Sequence, residues 1–349
     1  MQTVDYKCPN CKATLRFNPK KGNWVCDYCG SDLTLKDLKT NDETFKKTKV
    51  KSKKVITMDG YQCKNCGAKI AVDENVAATS CIYCKSTAIL KDKLTEEFEP
   101  KYVIPFSNIK QDAINAFKNV CKGKILAPKE FSDEKNIQEM TGIYIPFWLI
   151  DCKVDGDIEA NAKKVSTFKV GDYMHTKTDV YSAIRSGEIE FNKIPVDGSI
   201  RFDDAIMNSI EPFDYNGLQE FNHSYLSGFL AEKYDVDKEK GSESTDKRAK
   251  ETLTDQLKGQ LREYTSYTLK NTNINVNNTN VDYVLLPVWM LNIKYKDKIY
   301  TFAMNGQTGK LIGDIPWNKT KAAIMFIGIF LLVTIILALT IFGGVLWER

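Results

Sequence analysis

The stretch CPNCKATLRFNPKKGNWVCDYC, residues 8–29, sets Cys8 and Cys11 three apart and, after fourteen residues, Cys26 and Cys29 three apart. A CxxC knuckle offers two thiolates to one ion. Fourteen residues suffice for a short β-hairpin that brings the second knuckle opposite the first, which is the layout of a tetrahedral four-thiolate zinc site. Residues 63–84, CKNCGAKIAVDENVAATSCIYC, repeat the spacing with Cys63, Cys66, Cys81 and Cys84, at a constant offset of 55. At that offset Tyr6 matches Tyr61, Asn10 matches Asn65, Ala13 matches Ala68, Tyr28 matches Tyr83, Ser31 matches Ser86, and Leu35-Lys36-Asp37 matches Leu90-Lys91-Asp92. The pattern is that of a duplicated module.

Modules this short bury little apolar surface, so metal is expected to supply much of their folding energy. Four protein ligands leave no open position for water or substrate, which points to two structural Zn2+ ions and away from a catalytic one. A redox dithiol is the competing use of CxxC, but two pairs per module at matched spacing favour metal. The cysteine pattern resembles the zinc ribbon of the rubredoxin and transcription factor IIB type. Of the ten cysteines only Cys121 and Cys152 lie outside these pairs, as expected for a reducing compartment. Met1 is followed by QTVDYKC with no basic stretch leading into an apolar run, so the N-terminus is expected to stay in the cytosol.

The 349 residues are 43% hydrophobic and 27% charged, which describes folded, mostly soluble material in more than one unit. The formal charge of +4 treats each cysteine as neutral. Each zinc bound by four thiolates adds −2, so two sites bring the chain to about zero. That balance is short of a strong nucleic-acid footprint. Between the modules, FKKTKVKSKKV carries Lys46, Lys47, Lys49, Lys51, Lys53 and Lys54. It reads as a solvated linker, or as an electrostatic contact with anionic lipid or nucleic acid.

Residues 322–347, AAIMFIGIFLLVTIILALTIFGGVLW, hold no charge. About 20 apolar residues cross a bilayer core, so this segment reads as a transmembrane helix. Lys310, Lys319 and Lys321 precede it while Glu348 and Arg349 follow, which puts the preceding residues in the cytoplasm; Trp317 and Trp347 stand where interfacial anchors would.

From Phe98 to Trp317 strand and helix signals mix. Asp112–Cys121 and Lys247–Tyr264 have helical apolar spacing, whereas Thr178–Ile184, Glu188–Phe191 and Ile293–Ala303 read as strands. Lys296-Asp297, Asn305-Gly306 and Thr308-Gly309 read as turns, and the six asparagines of Asn271–Asn280 as a loop or an irregular strand edge. At an offset of 141, IYIPFWLI from Ile143 echoes VLLPVWML from Val284, superposing Pro146 on Pro287 and Trp148 on Trp289. Two related halves and a chance match of apolar strands both fit this echo. The two histidines, His175 and His223, lie in no metal or nucleophile motif. Asp203, Asp204 and Glu211 read as solvated or capping carboxylates and Cys121 and Cys152 as buried small side chains. No catalytic constellation emerges, and an enzyme is not expected.

The expected organisation is multidomain: zinc ribbon 1 over 1–37, a basic linker over 38–58, zinc ribbon 2 over 59–97, an α+β cytosolic domain with mainly antiparallel sheet over 98–317, and a C-terminal transmembrane anchor over 318–349. This layout, with FEPKYVIPF (98–106), IPVDGS (194–199), YLSGFLAEKYDV (225–236) and FAMNGQTGKLIGDIP (302–316), is similar to a family of zinc-ribbon membrane proteins of low-GC Gram-positive bacteria. Their genes sit beside phage-shock protein A and a flotillin-like protein. The resemblance implies a tail-anchored adaptor in envelope stress, acting with a second membrane protein to recruit the flotillin-like protein and phage-shock protein A. The alternative is a membrane-tethered nucleic-acid binder, with Tyr6, Phe17, Trp24, Tyr28 and the lysine linker supplying stacking and charge.

Overall fold

The computed structural model describes residues 3–4, 6–39, 59–62, 69–72, 76–80, 87–90, 99–200 and 202–347. Its strands are β1 (Thr3–Val4), β2 (Leu15–Asn18), β3 (Asn23–Cys26), β4 (Asp32–Leu33), β5 (Asp59–Gln62), β6 (Lys69–Val72), β7 (Val76–Ser80), β8 (Thr87–Leu90), β9 (Tyr102–Val103), β10 (Thr141–Val170), β11 (Tyr173–Asp197), β12 (Gln219–Glu220), β13 (Leu230–Glu232), β14 (Ser266–Tyr295), β15 (Lys298–Asn305) and β16 (Leu311–Ile312). The helices are α1 (Leu35–Lys39), α2 (Lys110–Lys122), α3 (Glu134–Gln138), α4 (Asp204–Ser209), α5 (Lys238–Gly259) and α6 (Lys319–Trp347). Most strand pairs are antiparallel, so the α+β class expected from the sequence is observed.

The chain forms two compact units. The first comprises Met1–Pro105, Ile143–Asp204 and Asp214–Pro287. Its sheet runs β1-β8-β7-β13-β10-β14, with β11 on β10, β9 on β14 and β12 on β9. Strands β7 and β8, from the segment of the second cysteine module, thus belong to this sheet. Hairpin β10–β11 keeps register from Phe147↔Asp197 to Val170↔Tyr173 with one shift between Ile150 and Cys152. Helix α5 covers one face: its Ala249, Leu253 and Leu257, with Leu261 in the turn that follows, pack on Cys152, Val154, Ile158, Ala160, Ala162 and Ala183. The small residues on the strands let the helix approach closely.

Three expectations are corrected here. The two short strands Thr178–Ile184 and Glu188–Phe191 are parts of one strand, β11. Helix α5 begins at Lys238, nine residues before the predicted start, because Asp237 ends the preceding extended backbone and Gly241 and Thr245 fill the early inward positions. Those small or polar residues hide the helical period. The asparagine run is neither loop nor irregular: it lies inside β14, with Leu269, Ile274 and Val276 packed against the α5 core and Asn271, Asn273, Asn275 and Asn277 exposed. Its period of two is that of a half-buried strand.

The second unit comprises Phe106–Gly142, Ala205–Phe213 and Val288–Arg349. The end of β14 pairs with β15 from Val288↔Asn305 to Tyr295↔Lys298, and Lys296-Asp297 makes the predicted turn. Phe117, Phe131 and Phe302 form its aromatic centre, with ring centroids of Phe117 and Phe302 4.8 Å apart. Asn305 is fully buried; its Nδ2 donates to the carbonyls of Ile210 (3.0 Å) and Pro212 (3.2 Å), and its Oδ1 accepts from the amides of Gln307 and Thr308.

The echo at offset 141 has a geometric counterpart. Ile143 and Tyr144 pair in parallel with Leu230 and Ala231, and Val284 and Leu285 pair in parallel with Tyr102 and Val103. Trp148 Nε1 donates to Val236 O at 2.8 Å, and Trp289 Nε1 to Asn108 O at 3.2 Å. Phe147 faces Asp197, which accepts the Ser199 amide; Val288 faces Asn305, which accepts the Gln307 amide. Helix α5 starts eight residues after Leu230, and α2 eight after Tyr102. The order strand, helix, hairpin therefore occurs twice, as β9–α2–β10–β11 and β13–α5–β14–β15. The short strand of each copy pairs with the long strand of the other.

Candidate metal centre

Two knuckles of the same shape build the site. In the first, Cys8 N donates to Ala13 O and Lys12 N to Cys8 O, both at 2.8 Å; in the second, Cys26 N donates to Ser31 O and Gly30 N to Cys26 O, both at 2.9 Å. Each turn needs a left-handed residue just after its second cysteine, Lys12 at φ 64° and Gly30 at φ 72°. Glycine takes that conformation without strain, and a lysine pays a steric cost for it.

Hairpin β2–β3, in register from Leu15↔Cys26 to Asn18↔Asn23, brings the knuckles together. The four sulfurs of Cys8, Cys11, Cys26 and Cys29 lie within 4.8 Å of one another, with Cys8 Sγ 3.5 Å from Cys29 Sγ and Cys11 Sγ 3.4 Å from Cys26 Sγ. Zinc–sulfur bonds of ~2.3 Å in a tetrahedron put sulfurs about 3.8 Å apart, so the donor set fits such an ion. The separations are far beyond a disulfide bond, and the thiols are free.

Electrostatics agree with the fit. Burial works to raise Cys8, but the amides of Cys11 and Asn10 outweigh it and bring that thiol down. The Ser31 hydroxyl, 3.0 Å from Cys29 Sγ, and the Ser31 amide hold Cys29 down to about 6. Cys11 is pulled down by the Ala13 amide yet pushed up to about 12 by burial and by its three neighbouring thiols. Crowded sulfurs cannot all ionise without a cation among them, and a divalent ion there would reverse that cost. Asn10 Nδ2 donates to Ser31 Oγ at 2.8 Å, so Asn10 and Ser31 support Cys29 from behind. Their identity with Asn65 and Ser86 was the sequence signal for that supporting role.

The ribbon is packed within the first unit. Phe17 N donates to Ser227 O at 3.1 Å and Trp24 Nε1 to Ser224 O at 2.8 Å, while Phe17, Trp24 and Tyr225 form a ring cluster with centroids 5.1 to 5.4 Å apart. Of the four aromatic residues that could stack on bases, Tyr6, Phe17 and Trp24 are buried and Tyr28 is 83% exposed. Cys63, Cys66, Cys81 and Cys84 lie outside the described residues, as does the linker beyond Lys39. Two pairings around those cysteines recur at the same offset, Lys7↔Thr14 as Gln62↔Lys69 and Trp24↔Leu33 as Thr79↔Ala88, whereas among the described residues β6 pairs with β5 and β7 with β8 and β13.

The remaining polar candidates are scattered. His175 stacks on Phe168 and His223 stands edge-on to Phe221. Cys121 Sγ donates to Phe131 O at 3.4 Å, and Cys152 is buried beneath α5. Asp203 is exposed, Asp204 opens α4, and Glu211 precedes Pro212. At the C-terminal end, Asn318 Oδ1 accepts from the amides of Thr320 and Lys321, starting α6; Lys319–Ala338 has a mean hydropathy of 2.6, with none of its most apolar stretch buried. Among the described residues one helix is thus long and apolar enough to cross a membrane.

No protein-family model and no solved structure matches this chain. It is 35% identical over 330 residues to the uncharacterized protein YdjG of Bacillus subtilis strain 168, an alignment spanning 93% of this chain and 94% of the relative. Agreement at that level over nearly both whole chains means that this chain belongs to the same family as YdjG.

Proposed function

We propose that the chain is a zinc-stabilised, membrane-anchored adaptor without chemistry of its own, which positions cytosolic partners at the cell membrane in envelope stress. The observation that carries it is α6: an apolar helix left uncovered has found no protein core, and a bilayer supplies the missing cover. Lys310, Lys319 and Lys321 before the helix support a single pass with the preceding bulk in the cytoplasm. The closed four-thiolate cluster supports a structural rather than catalytic Zn2+. Identical cysteine spacing, with the recurring pairings Gln62↔Lys69 and Thr79↔Ala88, supports a second Zn2+ at Cys63, Cys66, Cys81 and Cys84.

Partners follow from the family resemblance: the flotillin-like protein, phage-shock protein A and a second membrane protein. The test is affinity purification of the tagged full chain from gently solubilised, nuclease-treated membranes, with partners identified by mass spectrometry. Recovery of those proteins supports the adaptor. Loss of every partner on nuclease treatment, with nucleic acid bound beforehand, makes the chain a membrane-tethered nucleic-acid binder instead.

A further inference from the structure

Outside α6, the exposed large apolar side chains of the described residues concentrate in one place. Val165, Phe168, Val170, Tyr173, Met174 and Val180 lie at the far end of hairpin β10–β11, with exposures from 39% to 76%. Every residue from Lys163 to Thr178 is exposed. The cause is topological. Contact between β10 and the chain entering β14 is made by Thr265 N donating to Lys163 O at 2.8 Å and Val165 N donating to Thr265 Oγ1 at 2.9 Å. The core under α5 reaches only to Ala162 and Ala183. Beyond these points, among the described residues, β10 and β11 pair with each other alone, from Ser166↔Lys177 to Val170↔Tyr173. At ~3.3 Å per residue the free ribbon from Val165 to Val170 is about 17 Å long.

Both faces of this ribbon carry exposed apolar side chains. Cross-strand partners share a face, so Phe168, Val170 and Tyr173 lie on one side and Val165, Met174 and Val180 on the other. A groove in a protein would cover one face, whereas the interface of a bilayer receives both. The charges are complementary to an anionic surface: Lys163, Lys164, Lys169 and Lys177 stand against Asp172 and Asp179, and Asp179 is already paired with Lys177 at 3.1 Å. Lysine stems lie along apolar surface while their ammonium groups reach lipid phosphates. Nucleic-acid surfaces lean instead on arginine forks and stacked rings, and residues 161–184 contain no arginine.

We infer that the tip of hairpin β10–β11 is a second membrane contact, dipping Phe168, Val170, Tyr173 and Met174 into the headgroup region of a bilayer rich in anionic lipid. The free ribbon is longer than the ~5–10 Å depth of interfacial segments. This inference rests on the anchor reading of α6 only for holding the tip within reach of a bilayer.

The test uses the full chain with a fluorescent amino acid in place of Tyr173, reconstituted into vesicles of phosphatidylcholine with phosphatidylglycerol. Flotation comes first, and a chain that does not float with the vesicles overturns the anchor reading. In floated protein the probe should be quenched several-fold by brominated lipid and shielded from aqueous iodide. That quenching should fall in vesicles of phosphatidylcholine alone and in the Lys163→Gln, Lys164→Gln, Lys169→Gln triple variant. The same probe replacing exposed Lys153, on the hairpin outside its tip, should remain open to iodide. Floated protein whose Tyr173 probe is reached by iodide and not by lipid overturns the inference. So does a probe shielded from both, which means a protein cover such as a second copy, or one shielded only when an oligonucleotide is added.

Discussion

Gly156 shows how much one missing methyl group can decide. A Cβ there would collide with the carbonyl of Asn273 and come within 2.8 Å of Ile274 Cα, because β14 crosses β10 at this point. Gly156→Ala should therefore destabilise the first unit by ~1–3 kcal/mol, the usual cost of overpacking, with no change in metal content. Chemical denaturation checks the first and zinc analysis the second. At the metal centre, Cys8 and Cys29 have thiols held below their ordinary value, by amides at Cys8 and by Ser31 at Cys29. A folded-state depression of this kind contributes stability above the unfolded thiol value that is lost as pH falls. Acidification should accordingly release zinc as the thiolates regain their protons, at a pH below the value of about 6 that Ser31 sets for Cys29 without metal, because the bound ion holds the thiolates lower still. A colorimetric zinc indicator followed against pH would read this, and a cluster that held its ion unchanged through that window would contradict it.

The elements carry the duplication. Trp148 and Trp289 are each almost wholly buried and each donates its indole N–H to a carbonyl six residues after the first residue of a short parallel strand, Val236 after Leu230 and Asn108 after Tyr102. Replacing either by phenylalanine removes one donor, leaves a carbonyl short of its partner and opens a small void. The hydrogen-bond part of that loss is about 1–3 kcal/mol. Trp148→Phe and Trp289→Phe should thus cost similar amounts in denaturant unfolding. A loss confined to one of them would mean that the two positions are not equivalent. The indole N–H contacts also explain why tryptophan, rather than any large apolar residue, stands at both places.

For the whole molecule, two features separate cleanly by experiment. Truncation before Ala322 removes the apolar part of α6 while leaving the strands and α5 intact; the shortened chain should move from the membrane to the soluble fraction on cell fractionation. Chelation acts at the other end. Because Trp24 is packed against Phe17 and Tyr225, loss of zinc should loosen that ring cluster as well as the knuckles. A fluorescence change on adding chelator that is absent from Trp24→Phe would report it. Metal and ring packing are linked because so short a ribbon has little core apart from Tyr6, Leu15, Phe17, Trp24 and Leu38.

The sequence by itself determined whatever local spacing can encode. Paired cysteines three apart, separated by fourteen residues, specify a four-thiolate cluster because both the knuckle and the hairpin between the pairs are short-range structures. An uncharged run of 26 residues specifies α6 because helix length and hydropathy need no partner to be read. The Lys296-Asp297 turn and helix α2 were legible for the same reason. Only the tertiary structure decided the rest. It made Asn271–Asn280 a strand because β10 and α5 supply the neighbours that its polar alternation alone does not announce. It started α5 at Lys238 because Gly241 and Thr245 take its early buried positions, small or polar residues that leave no apolar period to read along the chain. And it turned a weak echo of eight residues into a crosswise exchange of strands, since which strand pairs with which depends on contacts between residues far apart in the chain, such as Ile143 with Leu230 and Val284 with Tyr102. Such pairings leave no periodic trace along the chain.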